Sequence, residues 1–558
     1  ANISQVALAK KGVVLGDYLG SNAYYAQIMP GSRPSDFVGT GLRTVVPIRG
    51  EWKVINALLQ QDFPEWVREG DNLKMSLSWF HGVRWEQIRT YLDAQGIVYH
   101  TASDVLRTVE IAAPREALLS LAELECVAAL HWVAPPAELQ NREGARLSGA
   151  SVLQIPFGLG GHDLTGKGVR IGIWDTNVGD HADYGTRVHR QEFEFSGSNH
   201  GMHTTGTIIG SGLLDERGRG MAPEAEILTN NFNTQSNGKF VALEMYETYQ
   251  SEHITLTSNS YGYSMESLCG LDRYFNYTYI GNENVDRLSC WFPDMTHVFS
   301  AGNSQRACSK PFSHSTNYAK NIISVAAVDA FGEMTKFSSF GPLLDGRLFP
   351  IISARGKAVS STVANQKYAT MDGTSMACPT VTGHLALLTQ RWKQLHGGAA
   401  PRNYFLKALV ANTANDAGNP GPDYKYGFGI LDAEAAITAM ESSWYTMGVL
   451  PQGGAAQTNT IQVPAGVKEL RVMLCWSDPV ATKEYATGEC PLVNDLDLTV
   501  QASGKTYYPF TLDPSNPSEN AVASQPNKVD NIEQVVIKTP QAGSSTPFGG
   551  TAILIMVS

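Results

Sequence analysis

MDGTSMACPTVTGHLALLTQRWKQLHGG, residues Met371 to Gly398, is the stretch on which the reading of the fold turns. Val381, Leu385, Leu388, Trp392 and Leu395 recur at intervals of three and four and stop before Gly397-Gly398, the pattern of a helix with one buried face. A helix that opens on Gly-Thr-Ser, with Pro379 close behind, needs a reason. A serine in the first turn has a backbone N–H without a helical acceptor and stands in the positive end of the helix dipole, a place that suits developing negative charge. Gly373 allows another chain to come close, and Pro379 is expected to be tolerated because the first turn needs no N–H there.

Working upstream, short apolar strands alternate with helices: GVRIGIWD, AEILTNNF, HITLTSNSYG, MTHVFSAGN and NIISVAAV. Such alternation predicts a mainly parallel sheet with helices on both faces, and in these sheets functional groups collect at the carboxyl ends of the strands. Asp175 ends VRIGIWD, His200 opens the glycine-bearing helix start NHGMHTTGTIIG, and Asn303 follows an apolar strand in SAGNS.

The blocks GIWDTN, NHGMHTTGTI, GRGMAP, SNSYG, SAGNS, FSSFGP and GTSMACP, in this order, resemble the subtilisin-like serine peptidases across the whole middle region. The resemblance implies an Asp-His-Ser triad in the chain order of that family. Ser375 would be the nucleophile, His200 the general base that later protonates the leaving amine, and Asp175 the group that holds the imidazole tautomer. The Asn303 side chain and the Ser375 N–H would form the oxyanion hole. Ser260, Tyr261 and Gly262 would belong to an extended segment that pairs with substrate backbone as an added strand. Two positions depart from the family pattern, Asn177 two residues after the aspartate and Met202 between the two histidines.

Plainer readings compete. Asp175 could cap a helix, Asn303 could be a turn residue and Tyr261 a surface aromatic. His200 and His203 have the spacing of a metal pair on one helix face, without an evident third ligand; His203 is expected to be a packed, hydrogen-bonded neighbour. Cys378 invites the role of nucleophile, but three positions along the helix from Ser375 it should face into packing.

On either side of the catalytic-like region, 141–443, the texture changes. Residues 1–140 contain an internal echo: AKKGVVLGDYLGSNAYYAQI resembles LDAQGIVYHTASDVLRTVEI, and LRTVVPIRGEWKV sits where the second copy has VAALHWVAPPAEL. A leading strand, LKMSLSWF, and a helix over 83–95 complete only the second copy, so we read two ferredoxin-like α/β modules, the first truncated. The region resembles the inhibitory propeptides that precede subtilase domains, which implies a zymogen that cuts itself near Gln140-Asn141; a permanent accessory domain is the alternative. Residues 444–558 have only strand-and-turn texture and predict a separate antiparallel β-sandwich. It resembles the jelly-roll domain of some alkaline bacterial subtilases, and this implies structural Ca²⁺ held by Asp495, Asp497 and Asp530, with Asn494 and Asn531.

Composition narrows the function classes. Lys+Arg 42 against Asp+Glu 53 leaves a net charge of −11, so nucleic acid has no electrostatic footprint here. No apolar run approaches the ~20 residues that span a bilayer. The opening ANISQVALAKKG carries no signal peptide and is compatible with prior removal of one. The seven cysteines include no CxxC pair; the grouping of Cys269, Cys290 and Cys308, and of Cys475 with Cys490, suits either one bridge per group or reduced buried thiols. The expected protein is thus a secreted, cell-surface or periplasmic bacterial serine endopeptidase, with protein or peptide substrates, its own N-terminal region as inhibitor and no cofactor for catalysis. A catalytically silent binding protein that uses the β-sandwich is the alternative.

Overall fold

A computed structural model describes the chain except residues 1–4, 21–22, 55–57, 60–62, 64–66, 105–106, 134–144, 146, 192–196, 233–240, 263–276, 278–281, 306–317, 452, 464–466, 482–488, 539–551 and 557–558. The expected processing point at Gln140-Asn141, and Cys269 and Cys308, lie outside the described residues. The chain divides into two compact units, Ala1–Glu138 and Leu139–Ser558.

The first unit begins with α1 (Gln5–Ala9) and an antiparallel hairpin, β1 (Val13–Gly20) and β2 (Ala23–Ile28). A sheet then forms from β3 (Arg68–Glu69), β4 (Asn72–Trp79), β5 (Val98–Ser103), β6 (Thr108–Ala113) and β7 (Val127–Trp132), with helices α2 (Trp85–Ala94) and α3 (Arg115–Ala122). Alternate residues of β4, namely Leu73, Met75, Leu77 and Trp79, are buried with Ile88 and Leu92 of α2 and Leu118 and Leu121 of α3, as period-2 and period-3.6 patterns require. Antiparallel pairing runs β5-β6-β4-β7, which with the two helices is the split βαβ order of a ferredoxin-like module. The echo is weaker than its sequence. LRTVVPI forms no strand; Pro47 lacks a donor and Val45 and Val46 stay exposed, and among the described residues of this stretch and the one that follows it Val54 alone bridges to Leu130 of β7.

In the second unit seven strands form one parallel sheet: β8 (Arg170–Asp175), β9 (Val188–Arg190), β10 (Glu226–Asn231), β11 (Leu256–Asn259), β12 (Thr296–Ser300), β13 (Ile322–Val328) and β14 (Ile352–Arg355). Their order is 14-13-12-11-8-10-9, so the chain winds one way from β8 and the other way from β11. The reversal puts a crevice at the carboxyl ends of these two neighbours. Helices α5 (Asn199–Ile209) and α8 (Thr374–Leu395) share a core with Ile171, Ile173, Ile227, Val298, Ile323 and Val325. Trp174, Leu228 and Phe299 sit in a second core with Met245 of α6 (Val241–Glu252) and Leu288 of α7 (Asn282–Trp291). Burial on both faces explains why the strands read as nearly unbroken apolar runs. A short helix, α4 (Ala150–Gln154), precedes the sheet; a hairpin, β15 (Val359–Val363) and β16 (Lys367–Met371), feeds α8, and α9 (Asn403–Thr413) and α10 (Ala433–Glu441) follow.

The C-terminal region differs from a separate sandwich. Strands β17 (Glu469–Cys475), β20 (Ile532–Lys538) and β21 (Ala552–Met556) make one sheet and β18 (Val500–Ala502) and β19 (Lys505–Tyr507) a second. β17 pairs antiparallel with β20 but parallel with β21. One face of β17 and β20 is not an independent core: Met473, Cys475 and Ile532 belong to the cluster built on α8 and α9. Polar groups reinforce the join, with Gln534 donating to Asn412 (2.9 Å) and Lys407 to Asn531 (3.1 Å). That shared burial is why 139–558 is one unit.

Candidate active site

Asp175, the last residue of β8, is 1% exposed, and a carboxylate so buried needs partners. Its Oδ1 accepts hydrogen bonds from the Thr176 N–H (2.7 Å), the Thr176 hydroxyl (3.1 Å) and His200 Nδ1 (2.6 Å), and its Oδ2 accepts one from the Thr204 hydroxyl (3.0 Å). A carboxylate in this setting only accepts, so Nδ1 of His200 carries a proton and Nε2 keeps its lone pair. Burial opposes a second proton on the ring, but the Asp175 hydrogen bond and charge outweigh it, and the His200 pKa lies above its ordinary 6.5.

His200 is the second residue of α5, whose N-cap Ser198 accepts from the His200 N–H at 3.3 Å. Gly201 lets the helix start sit directly on the turn after β8: a Cβ there would fall 2.1 Å from the Thr176 carbonyl oxygen. The two departures from the family pattern are absorbed nearby. Asn177 accepts from Asn231 through its side chain (2.6 Å) and from the Ser198 N–H through its carbonyl (2.8 Å), tying the turn to β10 and α5. Met202 is buried, its sulfur against Gly179 and Gly197. His203 donates from Nε2 to the carbonyls of Val359 (2.9 Å) and Ala369 (3.1 Å), and burial brings its pKa down to about 4. It is a neutral packing residue, not half of a metal pair with His200.

Ser375 is the second residue of α8 and 9% exposed. Its hydroxyl donates to the Ser260 carbonyl at 3.3 Å, and among the described residues it makes no hydrogen bond to His200. The Asn303 amide is oriented by its oxygen, which accepts from both the N–H and the hydroxyl of Thr374 at 2.8 Å. Its Nδ2 and the Ser375 N–H each lie 3.5 Å from the place a Cβ on Gly373 would occupy. Two donor nitrogens therefore lie near one place beside Gly373, whose φ of 157° is one that side-chain-bearing residues rarely adopt.

Ser260, Tyr261 and Gly262 continue from β11, next to β8. Ser260 is buried and its hydroxyl donates to the Ser375 carbonyl at 3.0 Å. Tyr261 is half-buried, its ring stacked on Phe232 (centroids 5.1 Å apart) and edge-on to Phe299 (6.0 Å), and Gly262 is exposed. Pro379 corrects a reading of the sequence. It lies in the second turn of α8, where its missing N–H would have served the Ser375 carbonyl; the Ser260 hydroxyl takes that place.

Cys378 is fully buried, its thiol against the carbonyls of Asn259 and Val298, and burial pushes its pKa to about 11. Such a thiol is no nucleophile at neutral pH. Cys475 and Cys490 are free rather than bridged: Cys475 lies in the core beside Lys407, and Cys490 points to the Val529 carbonyl (3.4 Å). Cys290 is also free.

Asp495, Asp497 and Asp530 do not form one ligand set. Asp530 is buried, with Oδ1 accepting from the Leu348 N–H (2.8 Å) and Oδ2 from Asn527 (3.0 Å). Asp495 and Asp497 are exposed near Glu533, whose carboxyl is pushed up to about 8 by burial, with the charges of the two aspartates adding to it. Among the described residues no three His, Cys, Asp or Glu side chains gather as metal ligands.

Thr176, Thr204 and Thr374, which hold Asp175 and Asn303, were not singled out by the sequence. Thr204 was within reach of it, since a residue four after His200 shares its helix face. The Thr374–Asn303 contact joins positions far apart in the chain, and no local pattern announces it.

Residues 166–429 match the subtilase family, the S8 peptidases. The chain is 27% identical over 320 residues to the alkaline protease of Alkalihalobacillus alcalophilus, covering 56% of this chain and 75% of the relative. It is 28% identical over 280 residues to subtilisin Savinase of Lederbergia lenta, covering 49% and 92%. A further relative is the minor extracellular protease Epr of Bacillus subtilis, 27% identical over 282 residues, covering 49% and 39%.

Proposed function

With its 166–429 region the chain belongs to the subtilisin-like serine peptidases, and from that premise we propose that it is a secreted endopeptidase that works through an acyl-enzyme on Ser375 and is made as a zymogen. The reading rests on adjacent strands: β8 delivers Asp175 to His200 at 2.6 Å, and the extension of β11 delivers Ser260 to Ser375 at 3.3 Å.

On substrate binding the Ser375 hydroxyl leaves the Ser260 carbonyl and gives its proton to His200 Nε2 as its oxygen attacks the scissile carbonyl carbon. Asp175 stabilises the imidazolium that forms. The oxyanion accepts from Asn303 Nδ2 and the Ser375 N–H, both preorganised and close to Gly373. His200 then protonates the leaving amine, and a water activated by the same ring hydrolyses the ester. Side chains supply every proton transfer, so the chemistry calls for no cofactor. Ser260, Tyr261 and Gly262 offer main-chain groups to an extended substrate.

The compact N-terminal unit, followed by a polar linker, supports its reading as an inhibitory propeptide cut near Gln140-Asn141. Secretion is supported by the extracellular relative; among the described residues no helix is long and apolar enough to cross a membrane. A structural calcium would have to use Asp495 and Asp497 without Asp530, and a melting temperature lowered by chelator would support it.

A serine-directed fluorophosphonate tests the central claim. Labelling of the processed protein that disappears in Ser375→Ala supports the enzyme; absence of labelling in the processed wild type favours a silent binding protein. N-terminal sequencing after incubation tests the zymogen, since a fully active chain that stays uncut would overturn it.

A further inference from the structure

The carbonyl of Ser375 is buried in the first turn of α8, where a helix would ordinarily satisfy it with the N–H of the residue four positions on. That residue is Pro379, which has none. Ser260 provides what is missing: its hydroxyl donates to the Ser375 carbonyl at 3.0 Å, while its own carbonyl accepts from the Ser375 hydroxyl at 3.3 Å. One residue thus grips Ser375 at both ends, from a site 5% exposed at the end of β11. A buried hydroxyl fixes a direction more firmly than a wet one, because no water competes for the carbonyl.

We propose that the side chain of Ser260 is a positioning residue that substitutes for the absent Pro379 N–H and so fixes the backbone of Ser375 at the helix start. The serine backbone sets both the direction of the attacking hydroxyl and the place of the Ser375 nitrogen, 3.5 Å from where a Cβ on Gly373 would stand. Pro379 has a complementary part, since a proline at this position leaves the carbonyl free for a group outside the helix. The inference extends the earlier assignment of Ser260 from main-chain pairing with substrate to a task of its side chain, and it rests on Ser375 being the nucleophile.

A double-mutant cycle on the processed enzyme separates this from a merely structural role. Ser260→Ala removes the hydroxyl, and Pro379→Ala returns a backbone N–H to the same carbonyl. In the Pro379 background, Ser260→Ala is expected to lower kcat by about 10- to 100-fold with KM little changed, the scale on which small misplacements act. In the Pro379→Ala background the same change should cost less than about threefold, because the helix now satisfies the carbonyl itself. Ser260→Thr, which keeps a hydroxyl, should recover most of kcat. Equal losses from Ser260→Ala in both backgrounds, or no loss in either, would overturn the proposal. If Ser260→Ala alone does not fold, recovery of folding and turnover in the double variant supports it, and failure to recover overturns it. Fluorophosphonate labelling of the wild type at Ser375 is read first: its absence strikes down the nucleophile assignment, a result distinct from either outcome of the cycle.

Discussion

His200 Nδ1 and Asp175 Oδ1 lie 2.6 Å apart, with the aspartate buried and the histidine side chain 38% exposed. The asymmetry matters. Asp175 is shut off from water that could dilute its charge, while the histidine ring keeps part of its surface accessible. Because this pairing raises the His200 pKa, the neutral ring that the proposed mechanism uses as base is lost at a higher pH than a free imidazole would allow. The acid limb of kcat/KM should therefore lie above 6.5. Stability runs the other way: the raised folded value means that the pair stabilises fully below the unfolded pKa and that this contribution fades as pH rises through the folded one. Asp175→Asn should lower kcat about 10⁴-fold and remove the upward displacement of the limb; an unmoved limb in that variant would contradict the assignment.

Asn303 is aimed by Thr374, whose N–H and hydroxyl both hold its amide oxygen at 2.8 Å. Asn303→Leu should cost ~3 kcal/mol of transition-state stabilisation, seen as a 10²- to 10³-fold lower kcat at similar KM. Thr374→Val, which keeps the N–H but not the hydroxyl, should give a smaller fall of the same kind. A rise in KM with kcat intact in Asn303→Leu would place the amide in ground-state binding instead.

What the sequence revealed of this site, and what it hid, follows the range of the interactions. Strand ends and helix starts are local, so the positions of Asp175, His200 and Ser375 at a strand end and two helix starts could be read from periodicity, while their roles came from the resemblance to the subtilisin-like peptidases. Long-range partners carry no local mark: neither the Thr374 bonds to Asn303 nor the Ser260 hydroxyl on the Ser375 carbonyl could be read off. The error over Pro379 is of this kind, since a proline one turn too deep looks harmless until its orphaned acceptor is found. The C-terminal region misled for a related reason. Its strands are visible as alternating residues, but that Met473, Cys475 and Ile532 turn toward α8 and α9 depends on packing between distant segments. LRTVVPI shows the converse, an apolar run with strand composition that no sheet accepts.

Gly201 offers a test of how closely α5 must approach β8. Alanine there would place its Cβ 2.1 Å from the backbone oxygen of Thr176, which has no free rotation to yield. The helix start must shift and carry His200 with it. Gly201→Ala should destabilise by ~1–3 kcal/mol in urea melts and lower kcat by about 10²-fold. A variant with wild-type kcat would mean that the helix relaxes without disturbing the pair.

Three further histidines titrate in the opposite sense to His200. Burial lowers His203 to about 4, His297 to about 3 and His384 to about 4. Between pH 6.5 and about 4 the unfolded chain binds protons at these sites that the folded chain refuses, so stability falls with pH by about 1.4 kcal/mol per pH unit for each. His384 joins two segments, donating from Nδ1 to the Thr380 carbonyl (2.6 Å) and accepting the Ser148 hydroxyl on Nε2 (2.8 Å). His384→Gln should flatten the slope of stability between pH 6.5 and 5 by one histidine's share, measured by urea midpoints; an unchanged slope would show that this ring is already charged in the native state.

Lys320 and Asp478 form an ion pair whose side chains are both wholly buried, joining the parallel-sheet region to the C-terminal strands. The lysine also donates to the carbonyls of Pro479 (2.7 Å) and Pro491 (2.9 Å), and Asp478 accepts from the N–H groups of Val493 (2.9 Å) and Asn494 (2.7 Å). Removing one partner strands the other charge in a low-dielectric interior, at a cost of about 3–5 kcal/mol, whereas replacing both with apolar residues relieves most of it. Lys320→Met should thus lower the melting temperature far more than Lys320→Met with Asp478→Leu. Since the pair bridges two regions that share a core, the catalytic and C-terminal parts should unfold together in both variants. Calorimetry on the processed protein checks this: a lone transition is expected, and a second that moves independently when Lys320 is changed would restore the C-terminal region to the status of a separate domain.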